Sequence, residues 1–468
     1  MVFSSLLFLI VFLPITLLLY FICPNKIKNA LLLIVSLIFY AWDNPKHIVL
    51  MIITSFYIWL FALIIDRLRQ NGNMHGAKMM LVLSLVLSLS TLGFFKYFGF
   101  IVENVPFLNR TFLADIRLVL PIGISFYTFQ ALSYAIDVYR GTVKVQKSWL
   151  NFSMYISFFP QLIAGPIVQY ADIEGQIECR TITAEKFCVG IRRFCIGLGK
   201  KVLLANQVGM VWSAISSAES FSCAGAWVGV ISFTFQIYFD FSAYSDMAIG
   251  LGKMFGFEFT ENFNYPYQSK SVSEFWRRWH ITLGTWFREY VYIPLGGNRK
   301  GKRRLVFNLF VVWSLTGLWH GADWQFILWG IYYFAILCLE KFVFGKFLDK
   351  IPVVFQCCYT MLMVVIGWVL FASADVGQAA EIYRAMLCMD VAVITSKDIF
   401  LLSNNGLLLV ICAVCATDIP KRCMLYLQRN GKGRAYDYLY NVSSLCIMWI
   451  SVAFLMCDGY NPFLYFRF

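Results

Sequence analysis

SVSEFWRRWHITLGTWFREYVYIPLGGNRKGKRRLVFNLFVVWSLTGLWHGADWQFILWG, residues 271–330, is the stretch on which the reading of this chain turns. His280 and His320 lie forty positions apart in it, separated by the basic run RKGKRR at 299–304. His280 sits among Arg277, Arg278, Thr282, Thr285, Arg288 and Glu289, a segment too polar to face lipid. Ser271-Val272-Ser273-Glu274 matches the S-x-x-E capping box, which predicts a helix running from there toward Tyr290. Pro294, Gly296 and Gly297 would end it. On such a helix Trp276, Trp279 or His280, Leu283 and Phe287 share one face, with the arginines elsewhere around it. Turning three arginines to lipid costs several kcal/mol, which places the helix inside the protein or at its cytoplasmic boundary.

The apolar run 305–339 that follows is far longer than the ~20 residues that cross a bilayer. Gly317, Gly321 and Gly330 offer places to break it. The GLWHGADW segment is therefore expected to interrupt a helix near mid-bilayer, where non-helical backbone is tolerated only along a cavity. Trp319 and Trp324 would wall that cavity, and His320 would be presented into it. A lone histidine among apolar residues is more often a hydrogen-bonded core group or glue between helices than a catalyst. Ionisable groups in a membrane are costly to keep, and that favours a functional reading here.

The rest of the chain sets this stretch in a membrane. Of 468 residues, 60% are hydrophobic and 14% charged, against roughly 25% charged in soluble domains. Long apolar windows recur and short alternating strands do not, which gives a polytopic helical protein and excludes a transmembrane barrel. The net charge of +13 comes from basic residues in short loops, a topology signal that needs no nucleic acid to explain it. Fourteen cysteines fall mostly in apolar stretches. Cys412 and Cys415 form a C-x-x-C without a second ligand pair, so the thiols read as small packing residues.

Windows at 3–22, 30–42, 48–66, 79–95, 118–138, 150–168, 226–250, 353–372, 405–417 and 441–457, with the central run, suggest about ten to twelve spans. Pro160 and Pro166 should kink the 150–168 segment and turn it toward the protein interior. An amphipathic cytoplasmic helix is expected at 186–201. Asp240 and Asp246 are acids in an apolar setting, which places them toward a cavity or a partner. Lys/Arg bias puts loops 24–29, 67–78 and 421–434 in the cytoplasm and both termini outside. With no internal repeat and no soluble segment, residues 1–468 read as one membrane domain with a core at about 225–340.

WRRWHITLGTWFREYVYIPLGGNR and GLWHGADWQFILWG resemble the signature of the membrane-bound O-acyltransferases. Within that family the chain is similar to the bacterial branch typified by the alginate O-acetyltransferase membrane subunit. MVFSS, LPIGISFYTFQALSYAIDVYRG, FFPQLIAGPI, YFDFSAYSDMAIGLG and the terminal NPFLYFRF extend the likeness over nearly the whole chain. The resemblance implies an all-α polytopic bundle around a central tunnel, in the bacterial cytoplasmic membrane. It implies transfer of an acetyl or other acyl group from cytoplasmic acetyl-CoA, or another thioester, toward an extracytoplasmic polysaccharide, through a secreted SGNH-type partner. No metal and no bound cofactor is implied.

Carried over residue by residue, the family's histidine in GLWHG falls on His320 and its second, in RRWH, on His280. Arg277, Arg278, Trp319 and Asp246 become candidates for holding the donor. The family more usually has a small polar residue where Asp323 stands, so no Asp–His dyad is assigned. Imidazole suits removal of a hydroxyl proton near neutral pH, and no G-x-S-x-G nucleophile elbow is present. Two other readings remain: D-alanyl or other acyl transfer to a cell-wall polymer, and a transporter of an anionic polymer. Transporters commonly show repeated halves, which this chain lacks.

Overall fold

A computed structural model describes the chain except for residues 43, 117, 164, 219, 430–432, 458–462 and 465–468. Most of the NPFLYFRF ending and residues 430–432 of the basic 421–434 stretch therefore lie outside the described residues; that stretch was expected as a loop, but its first part lies in helix Ile419–Arg429. Every regular element among the described residues is a helix. Six are long and apolar enough to cross a membrane: Lys46–Gln70, Met74–Asn104, Trp324–Leu348, Val353–Ala372, Ser396–Cys415 and Asp437–Cys457. The architecture is that of an all-α multi-pass membrane protein. Other windows read as spans form helices of a different character. Ile124–Arg140 buries every residue from Ile124 to Ala135, the mark of a helix enclosed by protein on all sides.

The chain groups into two compact units, Met1–Phe194 with Asp246–Thr260, and Cys195–Ser245 with Glu261–Phe468. In the first, Lys46–Gln70 and Met74–Asn104 form a hairpin across Gly72, whose φ of 74° is left-handed. Asn73 caps the second helix by accepting from the Gly76 N–H at 2.9 Å. The 150–168 segment is broken more completely than a kink. Helix Trp149–Ser157 stops, Phe158 is extended, and a short helix Phe159–Leu162 restarts with Pro160 in its first turn, where proline's missing N–H costs nothing. Gly123 permits the approach of this restart. A Cβ there would sit 2.5 Å from the Leu162 carbonyl oxygen.

The second unit holds the central stretch. Its apolar run does break at 321–323, but after a full helix: Gly301–His320 is 20 residues and is followed by Trp324–Leu339. His320 is thus the last residue of a helix about 30 Å long, not a point part-way along a span. Only Gly321 lies at the break. Gly317 and Gly330 sit inside the two helices, where the backbones meet. A Cβ on Gly317 would fall 2.5 Å from the Phe326 carbonyl oxygen, and one on Gly330 2.5 Å from that of Trp313. Small residues at a helix crossing allow the close packing that drives association where lipid supplies no hydrophobic force.

One cysteine reading needs correction. Cys223 and Cys388 form a disulfide, while Cys412 and Cys415 are free thiols. Local sequence hid the pair, because the partners are 165 positions apart. Backbone bonds from Cys223 N to Ala392 O and from Ala224 N to Val393 O, both 2.9 Å, hold the same two segments together. Ser222 Oγ adds a 2.6 Å bond to Asp398, the first-turn acid of helix Ser396–Cys415.

Two outcomes follow from these contacts. Gly330→Leu must displace backbone rather than a side-chain tip, so it is expected to destabilise by about 1–3 kcal/mol, seen as a lower melting temperature in detergent. Gly406→Leu, where a Cβ meets nothing within 4 Å, is expected to melt like the parent. Disulfides persist on oxidising faces, and Cys388 leads into helix Ser396–Cys415, whose far end precedes the basic helix Ile419–Arg429. A membrane-impermeant maleimide applied to intact cells after mild reduction is expected to label Cys388, and protection of Cys388 would place this face in the cytoplasm.

Candidate functional site

The helix expected over 271–290 is two helices. Val272–Arg278 ends, and Ile281–Phe287 begins after a turn made by Trp279 and His280. Ser271 caps the first as the sequence suggests, its hydroxyl accepting from the Glu274 N–H at 3.0 Å. The Glu274 carboxylate does not close the box. It accepts from the Lys270 N–H at 2.9 Å and from Arg278 at 2.6 Å. The turn forms because His280 takes φ 45° and ψ 54°, a left-handed conformation that costs a non-glycine residue about 1–3 kcal/mol and persists only where surroundings enforce it.

Asn262 enforces it. The backbone oxygen of Asn262 accepts the Ile281 N–H at 2.9 Å, and Asn264 N donates to Arg278 O at 2.9 Å. The side-chain oxygen of Asn262 accepts from Thr282 N at 3.2 Å and from Thr282 Oγ1 at 2.9 Å. The same oxygen lies 3.2 Å from His280 Nδ1. His280 and Asn262 are buried, at 4% and 2% exposure. Burial pushes the imidazole far below its ordinary range, to about 3, so the ring is held neutral.

His320 is fixed by different means. Its ring packs edge-to-face against Trp319, Trp329 and Phe371, with centroids 5.0, 5.1 and 5.1 Å away. It closes helix Gly301–His320, where the dipole's negative end favours a cationic side chain. The indole of Trp319 also meets His280 edge-on at 6.0 Å. One aromatic ring thus touches both imidazoles, and a separation of forty positions closes into a single site. Trp276 sits behind it, with centroids 4.8 Å from Trp313, 5.4 Å from Trp329 and 4.8 Å from Tyr333.

The other sequence-derived candidates fall differently. Trp319 is buried and central. Trp324 is 53% exposed, and the rings against His320 besides Trp319 are those of Trp329 and Phe371. Arg277 is exposed. Arg278 pairs with Glu274 one helical turn away. Asp246 belongs to the first unit, where Arg193 grips one carboxylate oxygen through Nε at 3.1 Å and Nη2 at 2.9 Å. Asp240, in the second unit, forms a buried ion pair with Lys201 at 2.6 Å.

Two residues that sequence reasoning passed over complete the site. Asn262 carries no motif of its own; its signal is only a polar side chain in the non-helical ENFNYP stretch. Glu340, one residue past the end of helix Trp324–Leu339, reaches back to the start of the His280 segment. It accepts from Val272 N at 2.6 Å, Ser273 N at 2.9 Å and Ser273 Oγ at 2.8 Å. A carboxylate at a helix start satisfies donors that have no partner within the helix.

Comparison with known proteins gives a consistent set of relatives. The description "MBOAT, membrane-bound O-acyltransferase family" applies to the family whose model matches residues 143–376, which include Asn262, His280, Trp319 and His320. The chain is 37% identical to a "Probable alginate O-acetylase AlgI" of Pseudomonas putida over the whole of both chains. It is 41% identical to the protein of that description from Pseudomonas aeruginosa, over 82% of this chain and 75% of the relative. Against a "Peptidoglycan O-acetyltransferase" of Helicobacter pylori it is 31% identical over all of this chain and 98% of that one.

Removing the Glu340 carboxylate strands three donors at once. Hydrogen bonds to charged groups contribute about 1.5–3 kcal/mol each. Glu340→Ala is therefore expected to lower the melting temperature by several degrees. Glu340→Gln, which keeps one acceptor oxygen, is expected to fall between that variant and the parent in the same melt.

Proposed function

Because the chain belongs to the membrane-bound O-acyltransferase family, and so is a membrane O-acyltransferase, we propose that it acetylates an extracytoplasmic polysaccharide from a cytoplasmic thioester, acetyl-CoA. The acceptor hydroxyl belongs either to the polymer or to a secreted SGNH-type partner that relays the acetyl group, and the relay is the form proposed here. The names of the relatives support a polysaccharide acceptor. The observation that carries the site is the contact of the one Trp319 ring with both His280 and His320.

In the proposed reaction His320 takes the proton from the acceptor hydroxyl as its oxygen attacks the thioester carbonyl carbon. The carbon–oxygen bond forms, the tetrahedral adduct collapses, and the carbon–sulfur bond breaks. The imidazolium returns its proton to the departing thiolate, so the products are the ester and the free thiol. His280 stays neutral and accepts a hydrogen bond within the site. A thioester is activated enough to need no metal. The buried aromatic wall excludes water, which would otherwise compete with the acceptor and hydrolyse the donor. Arg277 and Arg278 stand two residues and one residue before the His280 turn, a position from which they attract the phosphates of the donor.

The test uses purified protein with acetyl-labelled CoA thioester and a soluble SGNH-type partner. His320→Ala is expected to insert and fold normally and to lose transfer by at least 10²–10⁴-fold, the usual contribution of a positioned base. His280→Ala is expected to lose it as well. A folded His320→Ala variant that transfers acetyl at the parental rate would remove His320 from the reaction.

A further inference from the structure

We infer that Asn262 is a positioning residue that fixes which nitrogen of His280 carries the proton, leaving Nε2 as a hydrogen-bond acceptor facing the transfer site. This rests on the reading of the two histidines as the reacting centre.

The argument is one of donors and acceptors. The side-chain amide of Asn262 has one oxygen and one nitrogen, and the backbone N–H of Thr282 can only donate. That N–H lies 3.2 Å from the atom assigned as Oδ1, so the atom is the oxygen and the amide cannot be turned over. An amide oxygen only accepts. His280 Nδ1, 3.2 Å from it, must therefore be the donor and carry hydrogen. A neutral imidazole has a single N–H, which leaves the lone pair on Nε2. In water the reverse tautomer is the commoner one, so the protein has a means of selecting the less usual form.

The backbone shows why the selection is firm. Asn262 bonds to residues 281 and 282 through both its main-chain and side-chain oxygens. These bonds hold the left-handed turn at His280 that brings its ring to the amide. Rotating the amide would forfeit the Thr282 bond inside a buried site, where an unsatisfied donor costs about 1–3 kcal/mol. The same contacts thus set the conformation of residue 280 and the protonation pattern of its side chain. A Nε2 lone pair is the form able to orient or relieve a hydroxyl proton beside His320. The opposite tautomer would present an N–H to the same place.

The chain has only four histidines, so the tautomer is directly observable. In protein labelled with nitrogen-15 histidine, loss of a signal in His280→Ala assigns the His280 ring nitrogens. The parent is expected to show the Nδ1–H form at that residue, and Asn262→Leu to shift it toward Nε2–H. Asn262→Leu is further expected to lower kcat by about 10²–10⁴-fold, the scale of losing a correctly oriented imidazole, with KM for the thioester within about threefold of the parent. Asn262→Asp keeps an acceptor oxygen in place and is expected to retain the fold and the Nδ1–H form. An Nε2–H signal for His280 in the parent overturns the inference, whether or not Asn262→Leu folds. So does an unchanged tautomer in folded Asn262→Leu. Full acetyl transfer by His280→Ala would instead overturn the functional reading beneath it, while the spectra would still report on Asn262.

Discussion

Two backbones touch where Gly317 faces Gly330, with Cα atoms close enough that a side chain on either would strike the other helix's carbonyl. In lipid there is no hydrophobic gain from pressing two apolar helices together, so contact density must supply the attraction. The crossing presses Trp313 against Trp329 at 6.1 Å and against Tyr333 at 5.5 Å. Each such aromatic pair adds roughly 0.5–1.5 kcal/mol beyond its area. The helix that carries Gly317 ends three residues later at His320, so its imidazole inherits the rigidity of the crossing.

His280 is immobilised by the opposite strategy. Its ring is not chiefly wedged by neighbours but tethered by hydrogen bonds around a strained turn. That turn would be expensive in isolation, and the bonds from Asn262 and the Glu340 clasp on the preceding helix offset the cost. The two histidines therefore differ in what they can do. A ring boxed by aromatic faces is restricted in position by packing. A ring tethered through Nδ1 has its protonation pattern decided in advance, as suits a group that orients rather than one that repeatedly gains and loses a proton.

Much of this was legible in the residues. The capping serine, the break after GLWH, the span at 353–372 and the disruption at Pro160 all came from local chemistry: a side-chain acceptor, a run too long for one helix, an apolar window, a missing N–H. What was not legible depended on distant partners. The break at His280 is invisible locally, because WRRWHITLGTWF reads as continuous helix until Asn262 is known to pair with the turn. Gly317 and Gly330 looked like breakers because glycine in one helix carries no sign of a second backbone beside it. Trp324 looked like a wall because spacing alone cannot tell which side of a break faces inward. Cys223 and Cys388 gave no signal, since neither sits in a spacing that implies pairing.

The two acids flagged in the YFDFSAYSDMAIG segment show how far residue type goes and where it stops. Both were expected to face a cavity or a partner, because a bare carboxylate in such surroundings is too costly. Residue type could not say that they would be treated differently. Asp246 shares a partly exposed pair with Arg193, which solvent screening keeps modest in strength. Asp240 is sealed: Lys201 lies 2.6 Å away with almost no exposure of either group, and the Leu464 N–H donates to the second oxygen at 2.8 Å. The cation also lies 5.9 Å from the ring of Phe463, which packs on Tyr244 at 4.9 Å. A buried pair of this kind adds little net stability over apolar residues of the same shape, yet losing one member strands a charge and costs about 3–5 kcal/mol. Its consequence is therefore one of specification. It ties Leu464, near the end of the chain, to the helix Cys223–Met254, because the Leu464 N–H supplies a donor to the second oxygen of an almost fully buried carboxylate.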